Sequence, residues 1–207
     1  MPPKAKHTRE EMVSVALGIV RRKGIGALTA REMASALGTS TQPVFTCFHS
    51  MGALHEEVRE AAKQRYREYM ERGLASPIPN LGVGQQAIRF AREEPELFKL
   101  LFLTKPEKSN EGAAEMIALS QEIVRSSIMS TYNMDAYTAD CYLRDLLLVG
   151  LGFSTLIVTD DCPYSDREMS AIFTEFSLAI CKAYKDIPGL PRGDFDRDKI
   201  FSDLVRR

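Results

Sequence analysis

Polar and apolar positions along this 207-residue chain repeat at helical spacing from one end to the other. Valine and isoleucine rarely alternate with polar residues, and no Asn-Gly or Asp-Gly pair marks a hairpin. Strands therefore have no support, and the pattern predicts an all-α protein. Met12, Val13, Ala16, Leu17 and Val20 form one apolar face, the stripe of a helix packed on a core. Thr8 precedes that run and Glu11 stands three residues later, the pairing of a capping box. Lys23-Gly24 closes the helix, with cations in its last turn and a glycine beyond. Thr29 is placed to cap a short second helix, Ala30 to Leu37, ended by Gly38. Ser40 is placed to cap a third, about Thr41 to Phe48, with Pro43 in its first turn, where a missing N–H costs nothing.

A long helix is predicted from about Met51 to Leu74, behind which Pro77 and Pro79 break the chain and mark a joint. Later helices are expected over roughly 80–94, 95–104, 111–133, 136–159 and 165–186. Asp135 caps the fourth of these, and Ser165 with Glu168 forms a second capping box. Pro188, Gly189, Pro191 and Gly193 make a tail loop, followed by a short amphipathic helix with Phe201, Leu204 and Val205 on one side. The most apolar run, Leu146 to Val158, is bounded by Arg144, Asp145, Asp160 and Asp161. It is too short to span a bilayer and is read as a buried helix, with no membrane partner.

Composition adds little to this picture, but charge adds more. With 44% apolar and 27% charged residues the chain is an ordinary globular protein. Its net charge of −1 hides an asymmetry: residues 1–50 hold seven Lys/Arg against three acids, which leaves −5 for the remainder. A basic head on an acidic body suggests a polyanion partner for the head. Cys47, Cys141, Cys162 and Cys181 form no close pair, and the opening Met1-Pro2-Pro3-Lys4 lacks the apolar stretch of a leader. Reduced thiols in a cytoplasm are the expectation. Cys47 lies between Val44 and Phe48 and reads as a core thiol rather than a redox switch. His7, His49 and His55 lack ligand spacing. Neither a metal, a cofactor nor a catalytic constellation is expected, which leaves an enzyme reading without residues to rest on.

Residues 29–48 carry the functional signal. Two short helices across a tight turn make a helix-turn-helix. Ala34 stands where the helices cross, and Gly38 at the turn permits a positive φ. Met33, Leu37, Val44 and Phe48 are spaced to pack inward, which leaves Thr41, Gln42, Phe45 and Thr46 on the opposite face. That face is small, polar and aromatic, and suits a major groove.

The segments Thr29-Ala30-Arg31-Glu32-Met33-Ala34, Leu37-Gly38-Thr39-Ser40 and Val44-Phe45-Thr46-Cys47-Phe48, with Leu54 beyond, resemble the TetR family of bacterial regulators. The lead-in Lys23-Gly24-Ile25-Gly26-Ala27-Leu28-Thr29 fits as well, and the resemblance covers about residues 8–58. It implies a DNA-binding head, residues 1–56, and a helical effector-binding and dimerisation domain, residues 57–207. It also implies a homodimer on double-stranded operator DNA, answering to a small apolar or amphipathic effector. The DNA-facing set is then Thr29, Arg31, Ser40, Thr41, Gln42, Phe45, Thr46 and His49. Arg31 reaches a guanine edge or a phosphate, Gln42 suits adenine, and the helix starts at Thr29 and Ser40 can hold phosphate. Two departures stand out. Phe45 replaces the family's usual tyrosine, whose hydroxyl often holds a phosphate, and Met51-Gly52 supplies no cation where lysine is common. Fewer ionic phosphate contacts imply a shallower salt dependence; His49 partly substitutes.

For the C-terminal half, Tyr66, Phe98, Phe102, Met116, Met129, Tyr132 and Tyr142 are candidates to line an effector pocket, which the resemblance implies; taken singly, each fits a plain core better. Gly150 and Gly152 inside the apolar helix suggest close helix approach. With Phe173, Phe176 and Ile180 they are assigned to a dimer interface of the two last long helices, as the resemblance implies. The reading is a ligand-responsive repressor, with an activator or a response to a protein partner as the alternatives.

Overall fold

The computed structural model describes residues 7–106 and 112–205, and every regular element among them is helical. Helix α1 spans Arg9–Lys23, α2 Ala30–Leu37, α3 Gln42–Phe48 and α4 Met51–Leu74. They are followed by α5 Pro79–Glu93, α6 Pro95–Phe98, α7 Gly112–Tyr132, α8 Ala136–Val158, α9 Asp166–Asp186 and α10 Arg197–Val205. The expected start of α7 at residue 111 lies outside the described residues.

Local chemistry sets most helix starts. Thr8 Oγ1 accepts from the Glu11 N–H at 3.2 Å while the Glu11 carboxylate accepts from the Thr8 N–H at 2.9 Å. Thr29, Asp135 and Ser165 cap α2, α8 and α9 as their positions predict. The cap assigned to Ser40 fails. Helix α3 begins one residue later, with Thr41 at the N-cap and no side-chain cap bond. The reason is Pro43. A Ser40 hydroxyl at the N-cap would take the N–H of the residue three positions on, and proline has none.

The single helix expected over 95–104 is also divided. After Phe98 the chain widens into a π-helical turn, Lys99–Leu103. The buried guanidinium of Arg59 stabilises that turn from α4. Its Nη1 donates to the Leu100 carbonyl at 2.6 Å and its Nη2 to the Leu101 carbonyl at 3.3 Å, groups that an irregular turn leaves in need of donors.

Helices α4 and α5 form a tight antiparallel pair across the Pro77–Pro79 break. A Cβ at Gly73 would lie 2.6 Å from the Val83 Cα, and one at Gly82 would lie 2.5 Å from the Gly73 carbonyl oxygen. Only hydrogen fits at both positions. The close approach assigned to Gly150 and Gly152 is absent within the chain: a Cβ at Gly150 meets a Phe173 ring carbon at an ordinary 3.9 Å, and Gly152 has nothing within 4 Å.

One hydrophobic core runs from α1 through α4 to α8, and Phe173 of α9 belongs to it. Helix α8 is long and apolar enough by composition to cross a membrane, yet it packs on α5, α7 and α9. The junction of α5 and α6 seats α1 on the body. Buried Glu94 accepts from Arg21 Nε and Nη2, each at 2.6 Å, and from Arg65 Nε of α4 at 3.3 Å. The C-terminal α10 forms as expected, and its Phe201, Leu204 and Val205 are exposed.

Candidate nucleic-acid interface and core cavity

Met33, Leu37, Val44 and Phe48 are buried in α2 and α3, and Ala34 of α2 is buried with them. Gly38 adopts φ 61°, and the following Thr39 N–H returns to the Ala34 carbonyl at 3.0 Å. Arg9 then fixes the far end of α3. Its Nη1 donates to the Cys47 carbonyl at 2.7 Å, its Nε to Glu57 at 2.9 Å, and its guanidinium lies 4.7 Å from the Phe48 ring centroid. The sequence counted Arg9 only as a head cation. Its use as a clamp between α1, α3 and α4 becomes visible in three dimensions.

This packing leaves Thr29, Arg31, Ser40, Thr41, Gln42, Phe45, Thr46 and His49 exposed together around α2 and α3. Phe45 is 44% exposed. The Thr46 hydroxyl donates back to the Gln42 carbonyl at 3.0 Å, which leaves its oxygen to accept. His49 closes α3 with φ 63°, in the left-handed region.

Electrostatics narrow the set further. Arg9 pairs with Glu57, Arg21 with Glu94 and Lys23 with Glu32. Among the described residues, the head cations without an ion pair are Arg22 and Arg31, and Arg31 is the one in the exposed set. Lys4 and Lys6 lie outside the described residues. No group of three or more His, Cys, Asp or Glu side chains comes together among the described residues.

A cavity of about 30 Å³ lies between α4, α5, α7, α8, α9 and the segment 98–102. Tyr66, Phe98, Phe102 and Tyr142 line it as the sequence suggests. Met116, Met129 and Tyr132 do not; the Tyr132 ring instead packs edge-on against Tyr142, with centroids 5.3 Å apart. Both wall tyrosines are satisfied internally. The Tyr66 hydroxyl donates to Ser120 Oγ at 2.9 Å, and Ser120 donates to the Met116 carbonyl at 2.8 Å. Burial pushes the Tyr66 phenol up to about 12, so it is neutral at physiological pH. Tyr142 is paired with Ser177 Oγ at 2.7 Å, and burial raises its phenol as well. The sequence missed Asn80 and the aliphatic wall of Leu143, Leu146 and Leu147.

A helix-turn-helix head, a long α4 leading out of it and a bundle enclosing a cavity are now in place. The fold is TetR-type. A chain from Mesorhizobium loti MAFF303099, assigned as a TetR-family transcriptional regulator, matches it with a TM-score of 0.55 over 86% of this chain and 98% of that chain, at 18% identity. No protein-family model matches the sequence, and no curated protein matches it either. At this identity the likeness is one of fold.

In the TetR-type body the residues assigned to the dimer face separate into two groups. Phe173 turns inward, 3% exposed, against Gly84 and the cavity, which leaves almost none of it for a partner. Gly150 is buried beside it. Phe176 and Gly152 are exposed and Ile180 is half-buried. Leu148 and Leu178, unassigned from the sequence, are exposed by 56% and 67%.

Proposed function

We propose that this protein is a cytoplasmic, homodimeric transcriptional repressor, released from a near-palindromic operator by a small-molecule effector. Residues 1–56 serve as the DNA-binding head and residues 57–207 as the effector and dimer domain. The observation that carries the reading is the exposed polar face of α3, flanked by the unpaired Arg31 and backed by a rigidly clamped core. A face of this size enters a major groove, with Gln42 in the first turn of α3 reading a base edge. Two such heads lie about one helical turn of DNA apart, which sets the spacing of the half-sites.

Effector release follows from what the cavity wall is attached to. The stretch from Glu94 to Leu103 supplies Phe98 and Phe102 to the cavity wall and Glu94 to the grip on Arg21 of α1. It also carries the Leu100 and Leu101 carbonyls, held by Arg59 of α4. A molecule larger than the resting cavity displaces this segment and with it the seats of α1 and α4. It therefore favours a conformer whose heads no longer match both half-sites, which is the differential affinity that linkage requires.

Selection from a random duplex library tests the DNA reading. The expected result is one enriched inverted repeat. Arg31→Ala or Gln42→Ala should weaken binding to it by about 5–150-fold, the range for one good base contact, with helicity and assembly unchanged. If Arg31 holds a phosphate instead, its loss weakens all sequences alike and lowers the salt slope by about one. Failure to enrich any sequence would sink the regulator reading.

A further inference from the structure

Of the buried polar atoms without a hydrogen-bond partner among the described residues, Nδ2 and Oδ1 of Asn80 are the ones on the cavity wall. Asn80 is the second residue of α5 and is 5% exposed. A carboxamide has two donors and an accepting oxygen. Burying it with neither end partnered is unfavourable, and folded proteins seldom tolerate it without a use. The Tyr66 and Tyr142 hydroxyls on this wall are spent on Ser120 and Ser177, and Ser154 of α8 adds one further hydroxyl to it. Among the described residues no charged side chain lines the cavity, so an ionised ligand would be stranded there without a counter-charge.

We propose that the cavity takes a neutral, mainly apolar molecule bearing one carboxamide. Its N–H donates to Asn80 Oδ1, and its carbonyl accepts from Asn80 Nδ2. This inference rests on the effector reading of the cavity and adds the ligand's chemical class and its specificity residue. The apolar portion packs against Phe98, Phe102, Leu146 and Leu147. The resting volume of about 30 Å³ holds about two waters, so the ligand occupies an enlarged form. Phe173 is the partition that moves: its ring lines this cavity on one side and, on the other, a surface groove shared with Gln85 and Arg89.

Benzamide and cumene share one skeleton and differ in whether the branch is an amide or a pair of methyl groups. Their binding to the full-length protein and to Asn80→Leu can be titrated by saturation-transfer NMR. The ratio of the two dissociation constants should move by about tenfold or more toward cumene in the variant. Without ligand, Asn80→Leu should melt higher than the wild type, since an unpartnered buried amide has been replaced by an apolar group. Should Asn80→Leu fail to fold, Asn80→Ala gives the same ratio readout with less bulk. A ratio unmoved by the substitution, with both compounds bound, overturns the amide pairing and leaves the cavity as an effector site. Binding of neither compound to any of the proteins overturns both. A shifted ratio without any effect of benzamide on operator affinity supports the inference and counts against the repressor reading.

Discussion

Phe45 shows how much one atom decides at the residue scale. Val44 and Phe48 on either side of it are buried while Phe45 is 44% exposed, so the ring belongs to the outward face rather than the core. TetR-like sequences commonly place tyrosine here. If the ring lies beside the sugar-phosphate backbone, Phe45→Tyr restores a neutral donor worth about 0.5–1.5 kcal/mol. Operator affinity should then rise by up to about tenfold, with scrambled DNA gaining equally, because phosphate contacts carry no sequence information. The salt slope should stay as it is, since no cation is added. Titrations at two salt concentrations against operator and scrambled duplexes check this. A loss of operator affinity would instead place the ring against a thymine methyl, where a hydroxyl intrudes.

At the scale of the element, what the sequence revealed was what acts over a few residues. Thr8, Thr29, Asp135 and Ser165 each cap a helix by bonding three positions along the chain, and such bonds can be read off a pattern. Ser40 followed the same rule and failed because the donor three positions on is proline. The wide turn Lys99–Leu103 depends on Arg59, which lies about forty residues away; no local pattern records it. Asn80 after Pro79 reads as a polar helix start, and only the enclosure by α8 and α9 makes it a buried amide. The apolar stripe of α9 merged two faces that the fold separates, Phe173 inward and Phe176 outward. The seat of Phe173 gives a test. A Cβ at Gly84 would lie 2.2 Å from its ring, and such overpacking costs about 1–3 kcal/mol, against about 1 kcal/mol gained by replacing a helical glycine. Gly84→Ala should therefore lower stability in chemical denaturation. In a Phe173→Leu background, where the clash is gone, the same change should raise it. Stabilisation in both backgrounds would show that the ring does not rest on Gly84.

At the scale of the whole molecule, an exposed apolar strip remains on α8 and α9 that the protomer does not cover. Leu148 of α8 and Phe176 of α9 are about half exposed, and Val149, Leu151, Gly152 and Leu156 form a shallow apolar surface on α8; Leu178, two positions beyond Phe176, projects from another side of α9. Strips of this kind mark interfaces more often than free surface. Under the proposed dimer, a second copy of the same pair of helices would give a self-complementary, two-fold arrangement. The wild type should sediment as a dimer at micromolar concentration. Phe176→Glu places a carboxylate in that strip, and a charge buried there without a partner is strongly unfavourable. The variant should become monomeric while circular dichroism still reports the same helical content, because Phe176 contributes nothing to the protomer's own core. Operator binding should fall with it. A monomer engages one half-site at a time and loses the gain that comes from holding the second head close to its own half-site. Binding to scrambled DNA should fall far less. A Phe176→Glu protein that stays dimeric would move the interface off this strip. A monomeric variant with undiminished operator affinity would break the link between dimer and palindrome.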